Sequence, residues 1–355
     1  MKNILLKAAL LLAISSQVLI ATAQDNNKAT SYSILTESFN LRPINMHRGQ
    51  LQINTGYKLS VRTKSYNREG EVISLQEDGS ASVQHKYLFD IKYGVLEFIQ
   101  LGARVNYYKQ GIRSETHNYL SGVNYITVNK LNEYKGFEDL FLHASVSLPF
   151  NINNFDFAMT GGVSLPTAKH EPDKPSHEAV PLGLPSYTFN YQYNNKNGLG
   201  VPVWTGQADV QLSLNKLTLT SSASLSKASA EGESIYWSEY FEDREFFYNQ
   251  TAYSYLLQDN LNIYTSIHYQ AIGWLDTFLA YDYTKATGGW TEQYGNRYAL
   301  PEMKLSYLQL GFEIQLSPLL RLNEIAGFAT GGQSADASFY ILTSLSFNMI
   351  PFKNQ

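Results

Sequence analysis

The sequence contains no cysteine. This absence excludes a disulfide, a thiolate metal site and an N-terminal lipid-bearing cysteine. After Ile20, no apolar run approaches the roughly 20 residues that a membrane-spanning helix requires. The net charge of −4 provides no basic field for nucleic acid, so no nucleic-acid partner is predicted. Phosphate-loop, dinucleotide-binding and nucleophile-elbow motifs are also missing, and the sequence predicts neither a cofactor nor a metal site.

The first residues have the pattern of a cleavable secretory signal. Lys2 and Lys7 are followed by an apolar stretch from Ala8 to Ile20, and Ala21-Thr22-Ala23 provides small residues at the spacing of a cleavage site. The pattern predicts a signal peptide over residues 1–23 and therefore export. A membrane anchor helix is the alternative, but the apolar stretch is short for a span.

Aromatic residues are abundant, with 26 Tyr, 18 Phe and 4 Trp. An excess of Tyr over Phe suits surfaces that are partly apolar and partly wet. The stronger signal is the alternation of apolar and polar residues over stretches of about ten residues, the length of a tilted outer-membrane strand. The clearest stretches are 51–62, 86–93, 99–107, 139–148, 204–214, 308–317 and 339–348.

This alternation predicts an all-β fold, an antiparallel transmembrane β-barrel of about twelve strands. The apolar face would contact lipid, and the polar face would line the lumen. A closed barrel leaves no unpaired strand edge in the hydrocarbon. The predicted barrel covers residues 50–355, and residues 24–49 are predicted to be a periplasmic leader or a segment within the lumen.

The connections are predicted to alternate between short periplasmic turns and long outer loops. Short turns are predicted at Gly94–Glu97, Phe150–Asn154, Asn215–Lys216, Gln258–Asn260 and Ser317–Leu319. Long loops are predicted at Asn67–Ser80, Gly111–Lys135, Ala168–Gly200, Ser229–Glu245 and Gly273–Pro301. Leu275–Tyr283 is ambiguous, because it could extend the preceding strand or form an extra hairpin and raise the count to fourteen.

The middle of the chain carries a family resemblance. Gly136-Phe137-Glu138-Asp139-Leu140 opens one strand, Gly161-Gly162-Val163-Ser164-Leu165-Pro166-Thr167 ends the next, and Gly198-Leu199-Gly200 leads into Thr205–Leu212. This order resembles the outer-membrane barrels of the phenol meta-pathway degradation proteins. That family's pattern has a Gly-x-Gly-Asp strand start, a Leu-Pro-Thr-Gly strand end and a later Gly-rich strand with an Asp.

The resemblance covers about eighty residues and departs from the pattern at two positions. Glu138 replaces the second Gly, and Ala168 replaces the Gly after Pro-Thr. The resemblance implies an outer-membrane channel for small solutes, with hydrophobic or aromatic compounds as candidates. The residues that match the family motif are Gly136, Asp139, Pro166, Thr167 and Asp209.

Charged residues on the predicted lumen face are the candidate solute path. Opposed charges across a narrow lumen would constrict it and set a transverse field, whereas the alternative interpretation is a structural network that ties the walls together. The candidates are Lys58, Arg62, Lys86, Lys92, Arg104, Asp139, His143, Asp209 and Glu313.

The predicted function is a passive outer-membrane channel, with outer-membrane lipid and a small solute as partners. The sequence does not define an oligomeric state. A structural or ligand-binding barrel with a blocked lumen is the first alternative. A lipid hydrolase is the second, but no Ser is recognised in the sequence as a partner for His85, His143 or His268, and no catalytic residue is assigned.

Overall fold

Long antiparallel strands dominate the described part of the chain, which comprises residues 48–75, 82–121, 124–148, 154–168, 187–191, 198–242, 245–293 and 295–349. The structure is a computed structural model. The predicted signal peptide and the leader up to residue 47 lie outside the described residues. Among the described residues, no helix is long and apolar enough to cross a membrane.

Nineteen strands are described, and twelve of them form one closed antiparallel barrel. The barrel closes where the first strand pairs with the last, from Leu51 opposite Met349 to Tyr66 opposite Ala335. The barrel strands are β1 (Leu51–Tyr66), β3 (Ser82–Leu96), β4 (Ile99–Ser121), β6 (Leu140–Leu148), β7 (Phe155–Leu165), β9 (Val203–Leu214), β10 (Leu217–Ala228), β13 (Asp259–Ile272), β14 (Leu275–Thr287), β17 (Met303–Ser317), β18 (Leu320–Gln333) and β19 (Ala335–Met349).

The other strands extend the predicted long-loop end. The short β2 (Val72–Ser74) pairs with β1, and β5 (Asn124–Phe137) pairs with β4 to form a hairpin that continues beyond the barrel wall. The remaining five strands form a separate sheet and are β8 (Tyr187–Tyr191), β11 (Gly232–Glu242), β12 (Glu245–Leu256), β15 (Trp290–Gln293) and β16 (Asn296–Ala299).

Tight turns join neighbouring strands at the opposite end. β9 and β10 are separated only by Asn215 and Lys216, and Asn215 adopts a left-handed conformation with φ of 54° that Asn tolerates well. The chain therefore returns after two residues, and the pairing of Leu214 with Leu217 fixes the register of this hairpin.

Two predicted connections are wrong. The predicted turn at Gln258–Asn260 lies at the long-loop end, and the tight turn is instead formed by Gly273 and Trp274. The predicted loop Gly273–Pro301 begins with a complete barrel strand, because β14 pairs with β13 and β17. β12, which the predicted turns place in the barrel, pairs with β11 and β15 in the separate sheet. The barrel still has twelve strands, because β14 replaces β12.

Three other predicted loops contain strands. The interval Gly111–Lys135 holds the end of β4 and most of β5, which pair with each other. The intervals Ala168–Gly200 and Ser229–Glu245 contain β8 and β11. These segments carry strand-forming aromatic and β-branched residues, so polarity alone does not distinguish a loop from an extramembrane strand.

The barrel is apolar outside and polar inside. On β4, Leu101 is 50 % exposed on the outer face, whereas Gln52 and Asn54 on the inner face of β1 are completely buried or nearly so. Ser222, Ser224 and Ser226 are likewise buried along β10. A water-soluble fold has the opposite arrangement, so this inversion defines a transmembrane β-barrel.

Aromatic rings cross several strands on the outer face. Tyr57, Tyr87, Tyr107 and Phe137 are direct cross-strand neighbours on β1, β3, β4 and β5. Their successive ring centroids lie 5.2, 6.2 and 5.2 Å apart. Such amphipathic rings suit the boundary between hydrocarbon and lipid headgroups.

Candidate functional site: the barrel lumen

A charged cluster lies on the inner face of β1, β3, β4 and β6. Asn54 Nδ2 donates a hydrogen bond to Asp90 Oδ2 at 2.9 Å. The same carboxyl group lies 3.9 Å from Lys92 Nζ, 3.6 Å from Arg104 Nε and 3.4 Å from His143 Nε2. The Asp90 side chain is only 2 % exposed, whereas Lys92 and Arg104 are 13 % and 19 % exposed. The carboxylate is therefore at the back of the cluster, and the two cations are more accessible.

Two further ion pairs lie near the outer end of the barrel. Lys86 Nζ lies 3.0 Å from Glu138 Oε1, and Arg62 Nη1 lies 2.6 Å from Asp336 Oδ2. Glu138, between β5 and β6, also accepts a hydrogen bond from Asn106 Nδ2 at 2.7 Å. These pairs join segments that are far apart in sequence, as a structural network would.

The predicted acidic residues on later strands have different partners. Asp209 Oδ1 accepts a hydrogen bond from Gln207 Nε2 at 2.7 Å, and the Asp209 carboxylate is electrostatically attracted by Lys92. Glu313 Oε1 lies 3.1 Å from Arg321 Nη1. Arg321 thus compensates Glu313, so local partners modify the predicted opposition of charges across the lumen.

Aromatic rings lie flat against the inner wall. The rings of Phe141 and His143 are stacked, with centroids 5.5 Å apart and an interplanar angle of 20°. Gly102 and Gly162 lie under these rings, and a Cβ atom at either position would overlap His143 or Phe141. The Arg104 guanidinium carbon lies 6.0 Å from the centroid of the Phe141 ring. Glycine thus allows an aromatic surface to form directly beside the charged cluster.

The same arrangement of stacked rings over a glycine occurs on the opposite side of the barrel. His268 and Phe278 are stacked with centroids 4.8 Å apart, and a Cβ atom at Gly311 would overlap Phe278. Farther around the wall, Lys58 Nζ lies 4.1 Å from the centroid of the Tyr340 ring. The inner surface therefore combines polar and cationic groups with aromatic rings, of which Phe278 and Tyr340 are buried against the wall.

Asp139 connects the start of β6 to two distant backbone segments. Its carboxylate accepts hydrogen bonds from the backbone N–H groups of Ala168 at 2.9 Å and Leu199 at 2.7 Å. Next to it, the Leu140 N–H donates to Thr167 Oγ1 at 2.9 Å. The motif residues Asp139 and Thr167 therefore hold the outer end of the β6–β7 hairpin against the segment 198–203, which we call the strap.

Tyr255 fixes the strap from its other side. Its hydroxyl donates a hydrogen bond to the Leu199 carbonyl oxygen at 2.5 Å. Burial, reinforced by Tyr253 and Asp139, raises the pKa of Tyr255 to about 12, so the hydroxyl remains a donor at neutral pH. An apolar cluster forms around this contact and contains Val201, Val203, Ala228, Tyr255 and Leu257.

A serine and a histidine are adjacent on β13, a pair that the sequence did not reveal. Ser266 Oγ lies 3.0 Å from His268 Nε2, the contact that a hydrolase would use to activate a nucleophile. However, Ser266 is only 1 % exposed, and the two residues lie two positions apart on one strand. The geometry therefore places the hydroxyl against the wall, where a lipid ester would not reach it.

One carboxyl group lies on the lipid-facing side of the barrel. Glu324 on β18 is paired with Phe312 and Thr343 in the outward-facing rows of the neighbouring strands. Thr343 Oγ1 donates a hydrogen bond to Glu324 Oε2 at 2.8 Å, and Glu324 is 8 % exposed. An ionisable group in this position is costly in a membrane, so this local pair lowers the stability of the folded barrel.

The predicted lumen residues do not form one constriction. Lys92, Arg104 and His143 surround Asp90, whereas Asp139 holds the strap and Glu313 pairs with Arg321. Sequence reasoning did not assign Asp90, Glu138, Phe141 or Tyr255 to the site. The sequence could have revealed Asp90, because it lies on the same polar face of the strand as Lys92. It could not have revealed Tyr255, because the predicted turns place its strand in the barrel wall.

No family model matches the chain, and no curated protein matches its sequence. The structure resembles solved outer-membrane channels. A crystal structure of an outer membrane channel from Pseudomonas putida F1 superposes with a TM-score of 0.60 and 11 % identity, covering 87 % of this chain and all of the other. A deletion mutant of the TodX monoaromatic hydrocarbon channel gives a TM-score of 0.50 and 10 % identity, covering 85 % of this chain and 91 % of the other. At these identities, the similarity concerns the fold, which is that of an outer-membrane β-barrel.

Proposed function

We propose that the protein is a passive outer-membrane channel for small hydrophobic or aromatic solutes. The observation that carries this proposal is the inner wall, where aromatic rings lie flat over glycines beside polar and charged groups. Rings held against the wall leave space in the lumen, whereas rings that project inward would fill it. The resemblance to the phenol meta-pathway barrels supports the same function, and membership of that family remains part of the proposal.

The names of the structural neighbours agree with this function. TodX, which shares the fold, is described as a monoaromatic hydrocarbon channel. The alternating tight turns and long connections support an orientation with the turns in the periplasm and the long loops outside. The apolar outer face then contacts outer-membrane lipid. The described lumen surface offers an aromatic solute both ring contacts and hydrogen-bonding groups.

Conductance across a planar lipid bilayer tests the proposal. Purified full-length protein should produce discrete current steps in potassium chloride, because a passive channel passes small ions together with its solute. A barrel that inserts fully, as judged by its folded migration on an unheated gel, but never conducts would contradict the channel and support the blocked structural barrel. The same preparation should release no fatty acid from phospholipid, which tests the hydrolase alternative.

Ion selectivity tests whether the predicted acidic residues contribute to the path. Neutralising them should shift the reversal potential in a salt gradient toward anions, because fixed negative charge is removed while the basic groups remain. Asp259→Asn is the matched control, since Asp259 pairs with exposed Lys227 at the outer end of the barrel. The test variants are Asp139→Asn, Asp209→Asn and Glu313→Gln. A conducting barrel with unchanged selectivity in all three would remove these residues from the path.

A further inference from the structure

The charged cluster around Asp90 holds its cations nearer the lumen than its acids. Lys92 and Arg104 lie 3.9 and 3.6 Å from the Asp90 carboxylate, distances longer than those of close ion pairs, and Asp209 also attracts Lys92. Asp90 is the most buried of the three, so a solute in the lumen meets the cations first. Because Asp90 and Asp209 are both buried, the two cations form the more exposed part of the described cluster.

A flat aromatic surface adjoins these cations. Phe141 lies beneath the Arg104 guanidinium and stacks on His143, and both rings are seated over glycines. The His143 side chain is 5 % exposed, and its Nε2 faces Asp90 Oδ1 at 3.4 Å, so the imidazole forms part of the wall beside Phe141.

We infer that this part of the lumen is a binding site for an aromatic carboxylate, an inference that rests on the proposed channel function. The ring of the solute stacks on Phe141, while its carboxylate lies between Lys92 and Arg104. Charge and stacking act on the same molecule, so neither a simple anion nor an aromatic cation has both sets of contacts.

Asp209 limits the affinity of this site. It attracts Lys92 from β9 and thus competes with a bound carboxylate for the same ammonium group. Removing its charge should make Lys92 more available to the solute and should also reduce repulsion of an anion. A variant without the Asp209 charge should therefore bind the aromatic carboxylate more tightly, and misfolding could not produce that result.

Current block in a planar bilayer distinguishes the solute classes. The probes are benzoate, which has a ring and a negative charge, benzylammonium, which has a ring and a positive charge, and acetate, which has the charge alone. Benzoate should reduce the potassium chloride current at a concentration at least about tenfold lower than either of the others. Equal block by benzoate and benzylammonium, or by benzoate and acetate, would overturn the inference while leaving the channel function intact.

Variants then assign the contacts. Lys92→Gln and Arg104→Gln should each raise the half-blocking benzoate concentration by about tenfold, and Phe141→Leu should raise it for benzoate but not for acetate. Asp209→Asn should lower it. Unchanged block in the two cation variants, or weaker block in Asp209→Asn, would contradict the site.

If no ion current is observed, a second measurement distinguishes failure of the channel function from failure of the binding site. If the wild-type barrel inserts but does not conduct, the channel function fails, and the site is tested by titration calorimetry of the detergent-solubilised full chain with the same three probes. Benzoate binding that is lost in Arg104→Gln would support the site in a blocked barrel. Absence of benzoate heat at millimolar concentrations would overturn it.

Discussion

An arginine placed on the outer face of the barrel should destabilise it strongly. Ile267 is 47 % exposed and belongs to an outward row with Leu219, Leu279 and Leu310. It lies six residues from Gly273 in the tight turn after β13. At about 3.3 Å per residue and a tilt of about 40°, six residues correspond to about 15 Å along the membrane normal. Ile267 is therefore close to the middle of an apolar band about 25 Å tall.

Arginine at the midplane of such a barrel costs about 2–4 kcal/mol. Ile267→Arg should thus reduce the folding equilibrium constant by a factor between about 30 and about 700, at 1.4 kcal/mol per factor of ten. The neighbouring residue provides a matched control. His268 lies on the inner face, stacks on Phe278 and contacts Ser266, so His268→Arg loses a ring contact and a hydrogen bond of about 1 kcal/mol each. The charge of the new arginine, however, lies in the polar lumen and not in lipid.

Reversible urea unfolding in lipid vesicles measures both variants. Tryptophan fluorescence and the folded migration on unheated gels report the same transition, and a constant denaturant slope supports the comparison. Ile267→Arg should lower the midpoint clearly more than His268→Arg. Equal penalties, or a larger penalty for His268→Arg, would refute the assignment of the two faces and with it the membrane-spanning barrel.

Three further predictions concern the ends and the outer surface of the barrel. An epitope tag inserted after Glu231 should be reached by antibody on intact cells and a tag after Asn215 should not, so equal labelling would reverse the orientation. Tyr255→Phe should remove about 1 kcal/mol from the strap contact and increase hydrogen exchange of the strap, and unchanged exchange would show that apolar packing alone holds it. Glu324→Leu combined with Thr343→Val should raise the urea midpoint by removing a polar pair from the lipid face; a lower midpoint would instead indicate that the carboxyl contributes to folding.

The sequence predicts the fold class because lipid and lumen impose a residue-by-residue alternation on every spanning strand. Leu101 and Arg104, for example, are assigned to the correct faces by phase alone. The same rule does not distinguish a barrel strand from an extramembrane strand: the turns predicted from the sequence place β12 in the barrel and β14 in a long loop, whereas β14 is the barrel strand. The tight turn at Gly273 and Trp274 lacks the Asn-Gly or Asp-Gly signature that would have marked it.

The candidate site was less predictable, because its contacts depend on how the sheet closes. Asp139 binds Leu199 across 60 positions, and Tyr255 reaches the same residue from 56 positions away. No local pattern contains this information. The resemblance did direct attention to Asp139 and Thr167, and the structure gives both a physical role in binding backbone groups at the outer end of β6 and β7.

Because glycine lets an inward-facing ring lie flat, the number of strands and the free cross-section of the lumen are not strictly linked in this barrel. The number of strands sets the circumference, but the free cross-section also depends on whether each inward side chain lies flat or stands upright. Here a ring on one strand and a glycine on its neighbour form a two-residue module, as with Phe278 and Gly311. Changing the glycine alone would tip the ring toward the axis. The free cross-section of such a channel can therefore be changed at one ring–glycine pair after another, without any change in strand number, register or the lipid-facing surface.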